Sequence, residues 1–185
     1  MIRAFASRLR RSLFLLLLCW LPLAAQAVEP RLLDAQVDAL LLHGSPPAGV
    51  VFEVESWDER SLYALLPWVE RQAVRLRERF PGLDMAVVTH GREQFTLMRS
   101  EAASHAPVHE AVRRLRAANV RVHVCGEHAS WRGVTPEQFI ADVDVAASGP
   151  AQINDYLRLD WALVVTDKMS LEQLMTLLPK AVGQP

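Results

Sequence analysis

Cys125 sits where a β-branched run, Val120-Arg121-Val122-His123-Val124, meets a polar segment, Gly126-Glu127-His128-Ala129-Ser130-Trp131-Arg132-Gly133. A thiol reacts as its thiolate, which nearby positive charge and backbone amides favour and apolar burial disfavours. His123, His128 and Arg132 are the cations nearest in sequence, and Glu127 opposes them. His123 and Cys125 are two residues apart, so in a regular strand they share a face. Gly126 would let the backbone approach the sulfur closely and turn its amides toward it. Two readings of Cys125 stand side by side: a reactive group at a strand end, or a small buried filler, since free cysteine packs well in cores. A third makes His123, Cys125 and His128 metal ligands, because imidazole and thiolate suit copper or zinc. Their spacing matches no standard zinc pattern, and no metal is assigned. His90, ahead of Gly91, reads either as a general base or anion contact, or as a turn residue bonded to a carbonyl.

Other chemistries lack their motifs. The chain has no Gly-x-Ser-x-Gly elbow for a hydrolase and no glycine-rich phosphate loop, so no cofactor is expected. Ser56 reads as a helix cap, and Trp57, Trp68, Trp131 and Trp161 as core or interface residues, with Trp131 notable for its nearness to Cys125.

The elements around these residues alternate. Strands are predicted at 50–55, 84–89, 120–124, 143–146 and 161–165. Helices are predicted over 30–42, from Ser56 or from about Leu66 to Phe80, over 107–118, from Thr135, from Gly149, and over 170–178. Pro67 is expected to kink the second helix or mark its start. Strands apolar on both faces, alternating with helices, predict a parallel sheet with helices on both sides. In such sheets ligands gather beyond the carboxyl ends of the strands. Ser56-Trp57, His90-Gly91 and Cys125-Gly126 should therefore converge on one rim.

Residues 1–27 read as a secretory signal, with Arg3, Arg8, Arg10 and Arg11, an apolar run from Leu13 to Leu23, and Ala25-Gln26-Ala27 as cleavage signal. Residues 28–49 would then be a helix and linker, and 50–185 one α/β domain. The apolar run is too short for a good membrane span, and none is expected after cleavage. Cleavage would place the protein in the periplasm and remove Cys19, leaving Cys125 as a single thiol. It would take four of the 20 basic residues and none of the 21 acids, leaving a net charge of about −5. That balance argues against a nucleic-acid partner, which needs clustered Lys and Arg.

Asp84-Met85-Ala86-Val87-Val88-Thr89-His90-Gly91, then Asn119 to Cys125, resembles the DsrE/DsrF-like family. The spacing from Val124-Cys125 to Arg132-Gly133-Val134 is similar to the active-cysteine segment of its sulfur-relay members. Val143 to Gly149, then Ile153 and Tyr156-Leu157, resembles its closing strand and helix. The resemblance spans about residues 50–165. It implies a single-domain, three-layer, flavodoxin-like fold with a mostly parallel five-stranded sheet, and a homo-oligomer, either trimer or hexamer. It further implies a sulfur carrier that holds a persulfide on Cys125. The partners would be sulfur donor and acceptor proteins or small sulfane-sulfur compounds. The alternative is a non-catalytic binding or assembly module of the same fold. Relay members are cytoplasmic, so the export signal is a departure from their pattern.

Overall fold

The computed structural model describes residues 29–166. The signal segment and the helix expected over 170–178 lie outside the described residues. In chain order the elements are α1 (Glu29–Leu41), β1 (Val50–Val54), α2 (Leu62–Arg79), β2 (Met85–Thr89), α3 (Ala106–Ala117), β3 (Val120–Cys125), α4 (Gly126–Trp131), β4 (Asp144–Ala146), α5 (Gly149–Arg158) and β5 (Ala162–Thr166). All five strands are parallel, in the order β4-β3-β2-β1-β5. The sheet expected to be mostly parallel is thus wholly so.

Side chains alternate across this sheet, and each face has its own core. On the first face Val50, Phe52, Val54, Met85, Val87, Val120, Val122 and Val124 pack against α1, α2 and α3. On the second, Val51, Ala86 and Val88 pack against Ile153 and Tyr156 of α5 and against Trp161. Register puts Glu53, Val88 and His123 in one row across β1, β2 and β3. One pleat further on, the same alternation sets His90 beside Cys125.

The edges are blunted. β4 is three residues long. β5 is clasped by α1, whose Gln36 accepts the Val165 N–H (3.0 Å) and donates to the Val165 carbonyl (2.9 Å). That side-chain amide stands in for a neighbouring strand and occupies a site where another chain would pair.

Three local expectations are corrected. Helix α2 starts at Leu62, not after Ser56, because Asp58 closes a separate turn, its carboxylate taking the Arg60 N–H (2.9 Å) and its carbonyl the Ser61 N–H (3.1 Å) and hydroxyl (2.7 Å). Pro67 does not mark the start of α2, which begins at Leu62 and runs through it. An internal proline costs about 3 kcal/mol. Leu62, Leu65, Leu66, Val69 and Leu76 are all buried on its inner side, each contributing about 1.5–3 kcal/mol, so packing wins. Thr135 does build its capping box, but only a three-residue 3-10 turn follows (Pro136–Gln138). There Phe139 turns into the core, and the Ile140 N–H bonds to the Leu97 carbonyl (3.0 Å), which pulls the chain out of helical register.

Candidate functional site: the carboxyl rim around Cys125

The three strand ends do converge, and a buried carboxylate holds two of them. Glu93, fully buried in the 3-10 turn after β2 (Arg92–Leu97), accepts the Ser56 N–H (2.8 Å), the Gly91 N–H (2.9 Å) and the Thr89 hydroxyl. The Arg92 N–H returns to the Ser56 carbonyl (2.8 Å). Burial pushes the Glu93 carboxyl above its ordinary range, against the hydrogen bonds that favour its charged form.

Gln94 next to it ties this turn to β3. Its Oε1 accepts the Cys125 N–H at 2.8 Å. Gln94 is wholly buried, and its Nε2 has no hydrogen-bond partner. Such an orphaned donor is costly in a protein interior, and a native one needs an explanation.

The segment after Cys125 is not a loop. It turns at once into α4, with Cys125 as the N-cap and Sγ accepting the His128 N–H at 3.4 Å. Sulfur here takes the place of the usual capping oxygen. The amide on the sulfur is therefore His128's. The Glu127 N–H instead bonds to the Ala147 carbonyl (2.9 Å). Gly126 serves close packing, since a Cβ there would lie 2.9 Å from the Ala146 carbonyl oxygen.

Gly149, the first residue of α5, is wedged beside the thiol. A methyl group on it would lie 2.6 Å from His90 Cβ, 3.1 Å from His90 Cγ and 3.4 Å from Cys125 Cβ. The start of α5, the imidazole of His90 and the thiol thus meet at one point. A helix N-terminus favours negative charge, which suits a thiolate. Cys125 is only 3% exposed, so reagents reach it only when something at the rim opens.

His90 Nε2 pairs with Glu53 Oε1 at 2.9 Å, on the face that bears Cys125. His128 Nδ1 donates to the His90 carbonyl (2.8 Å), which requires the proton on Nδ1, and its ring meets Phe95 edge-on. Arg132 lies over the Phe95 ring, 4.1 Å from its centre, and 3.8 Å from Glu59. Its charge is directed to Phe95 and Glu59. His123 is buried, and its Nε2 hydrogen-bonds to the Tyr156 hydroxyl at 2.8 Å. Trp131 is exposed on α4 and Trp57 on the loop after β1, whereas Trp68 and Trp161 are buried.

These commitments answer the metal reading. His123 is turned to Tyr156 and His128 to a backbone carbonyl. Among the described residues no three His, Cys, Asp or Glu side chains are grouped to hold a metal ion. Sequence reasoning missed Glu53, Glu93 and Gln94. Glu53 sits inside an otherwise apolar strand, which was the one available signal.

His123 gives a pH prediction. Burial lowers its pKa below 6.5, with Arg121 and Arg116 adding to the effect and Asp144 opposing it. The unfolded chain then takes up a proton that the folded chain resists. Stability is full above pH 6.5 and is lost as pH falls through the lowered value. Urea unfolding midpoints of the wild type should drop over that window, and His123→Gln should flatten the drop. An equal drop in both proteins would assign it to another group.

An open cleft of about 830 Å³ lies at the opposite, amino end of the strands, bordered by Arg77, Asp84, Arg116 and Arg121. Its cations are engaged. Arg77 donates to the Leu83, Ala118 and Asn119 carbonyls, Arg116 pairs with Asp144, and Arg121 lies over the Tyr156 and Trp161 rings. The chemistry-bearing residues are all on the other rim.

Residues 70–165, from the middle of α2 to β5, match the DsrE/DsrF-like family model. The chain belongs to the DsrE/DsrF-like family. His90, Gln94, Cys125 and Gly149 all lie within the matched residues, while β1 with Glu53 precedes them. The DsrE-like chain is also similar to a solved structure, that of the protein of unknown function MTH1491 from Methanobacterium thermoautotrophicum. That likeness has a TM-score of 0.51 at 23% identity, covering 63% of this chain and 96% of that one. It supports the single-domain, flavodoxin-like DsrE fold. No curated protein matches the chain. Among the described residues no helix is long and apolar enough to cross a membrane.

Proposed function

We propose that this DsrE-like protein is a sulfur carrier that holds a persulfide on Cys125 and passes it to an acceptor thiol. The observation behind this reading is the position of Cys125: at the carboxyl end of a central parallel strand, capping α4 through its sulfur, beside the start of α5. Family membership supports the same class of chemistry. The Cys125 sulfur attacks the sulfane sulfur of a donor, the donor's S–S bond breaks, and the leaving thiol keeps the electron pair. The acceptor thiol repeats the exchange in reverse. His128 supports the sulfur through its backbone amide. Its imidazole, with Arg132 and Phe95, holds the first turn of α4 in place. The N-terminal signal motif supports a periplasmic site of action, and the family resemblance supports a homo-oligomer, trimer or hexamer. Donor and acceptor are proteins or small sulfane-sulfur compounds.

One observation favours a second reading. Cys125 is almost fully buried, as in a binding or assembly module that has kept the fold without the chemistry. Cyanide separates the two, because it strips a sulfane sulfur as thiocyanate. The full chain is incubated with polysulfide, desalted and treated with cyanide. With Cys19 replaced by serine throughout, the carrier reading predicts about one thiocyanate per chain when Cys125 is present and none above background for Cys125→Ser. Equal release from both would leave the module reading.

A further inference from the structure

We propose that Glu53 and His90 form a proton-transfer pair for Cys125, with Glu53 as the positioning residue and His90 as the group that exchanges the proton. This deepens the carrier reading and rests on it for the identity of the electrophile.

Three adjacent strand ends supply the three groups on one face of the sheet: Glu53 from β1, His90 from just beyond β2, and Cys125 from β3. The Glu53 carboxylate bonds His90 Nε2 at 2.9 Å, and both side chains are largely shielded, 23% and 10% exposed. A carboxylate accepts only, so Nε2 carries the proton and the lone pair of neutral His90 is on Nδ1. Nδ1 is bonded to Cγ, and a Cβ placed on Gly149 would lie 3.1 Å from that Cγ and 3.4 Å from Cys125 Cβ. Imidazole and thiol thus flank one glycine, at a point packed too closely to admit even a methyl group. A carboxylate that fixes a histidine tautomer beside a nucleophile is the general arrangement for activating it.

Few other ionisable groups face His90. From α4, His128 donates to the His90 backbone carbonyl. From β3, His123 lies one pleat lower and is turned to Tyr156 of α5. The first turn of α5, Gly149-Pro150-Ala151-Gln152, has no charged residue. Glu53 is therefore the charged partner of the imidazole.

In the step, the Cys125 thiol gives its proton to His90 Nδ1, and Sγ attacks the terminal sulfur of a donor persulfide. The donor S–S bond breaks, its inner sulfur leaves with the electron pair, and His90 returns the proton to it. The balance is Cys–SH plus R–S–SH to Cys–S–SH plus R–SH, with no external oxidant or reductant.

The test uses the full chain and the rate of iodoacetamide labelling of the Cys125 peptide against pH, in wild type, His90→Gln, Glu53→Gln and Glu53→Asp. Near pH 6, His90→Gln should label about a hundredfold more slowly than wild type, the low end of what a positioned acid–base group supplies. At high pH, where hydroxide in solution takes the thiol proton without help, the gap should close. Glu53→Gln should shift the profile in the same direction by less, and Glu53→Asp should restore part of it. Superimposed profiles would overturn the proposal. So would variants slowed equally at every pH, since that marks altered access and not proton transfer. Sulfur loading of wild type is read separately. A pH shift without loading sinks the carrier reading alone; loading with superimposed profiles sinks the proton-transfer pair alone.

Discussion

Glu93→Ala is expected to cost about 3 kcal/mol of folding stability, read as a lower urea midpoint at unchanged slope. Glu93 is fully buried and takes hydrogen bonds from the Ser56 and Gly91 amides and the Thr89 hydroxyl. Removing the acceptor strands three donors, each costing about 1–3 kcal/mol if it stays dry. The sum is not realised, because the mutation also relieves the desolvation of a buried carboxylate. That same desolvation fixes the sign of a pH effect. The carboxyl pKa is raised in the folded state, so the folded chain holds the proton more tightly than the unfolded one. This contribution is full below pH 4.5 and is lost as pH rises through the raised value. It runs opposite to the His123 effect and should be absent from Glu93→Ala. A folding free energy within about 0.5 kcal/mol of wild type would mean that water replaces the carboxylate and that the rim is not held by it.

Gly91→Ala should destabilise by a similar amount, about 2–4 kcal/mol, for a steric reason. Its φ of −91° is open to any residue, so the backbone angle itself does not demand glycine. Space does. A Cβ would lie 2.3 Å from Glu93 Oε2 and 2.5 Å from both N and O of Ser56. The Ser56 atoms are backbone and cannot rotate away, so the β1 and β2 ends must part. The two substitutions share an atom, so the double variant should lose less than the two single losses added together. Additive losses would show that Gly91 is constrained by Ser56 alone.

These two residues also mark what could be read in the sequence. The strands were legible because valine-rich runs leave few alternatives, and the helix expected over 107–118 ends where Asn119 takes the left-handed region at φ 53°. Convergence of the three rim segments followed from parallel topology. What escaped was held by single long-range contacts. Glu93 and Gln94 lie in a polar stretch of no helical or strand period, and only its burial after folding gives them partners at Ser56 and Cys125. Glu53 stands among apolar residues of β1, and only the packing of the strand ends brings its carboxylate to His90 Nε2. Arg132 was credited to the sulfur by nearness in sequence, but α4 forms at once after Cys125 and turns it toward Phe95 and Glu59. The α2 boundary failed because Asp58 closes a turn of its own onto Arg60 and Ser61, which delays the helix to Leu62.

Locating the transferred sulfur tests the central claim most directly. The full chain has two cysteines, Cys19 and Cys125, of which Cys125 is the one within the described residues. Native protein is incubated with polysulfide, trapped by alkylation, digested, and its peptides weighed. The carrier account predicts one additional sulfur on the peptide containing Cys125, removed by a thiol acceptor. A Cys125 peptide that gains no sulfur under native conditions, and does so only after unfolding, would contradict it.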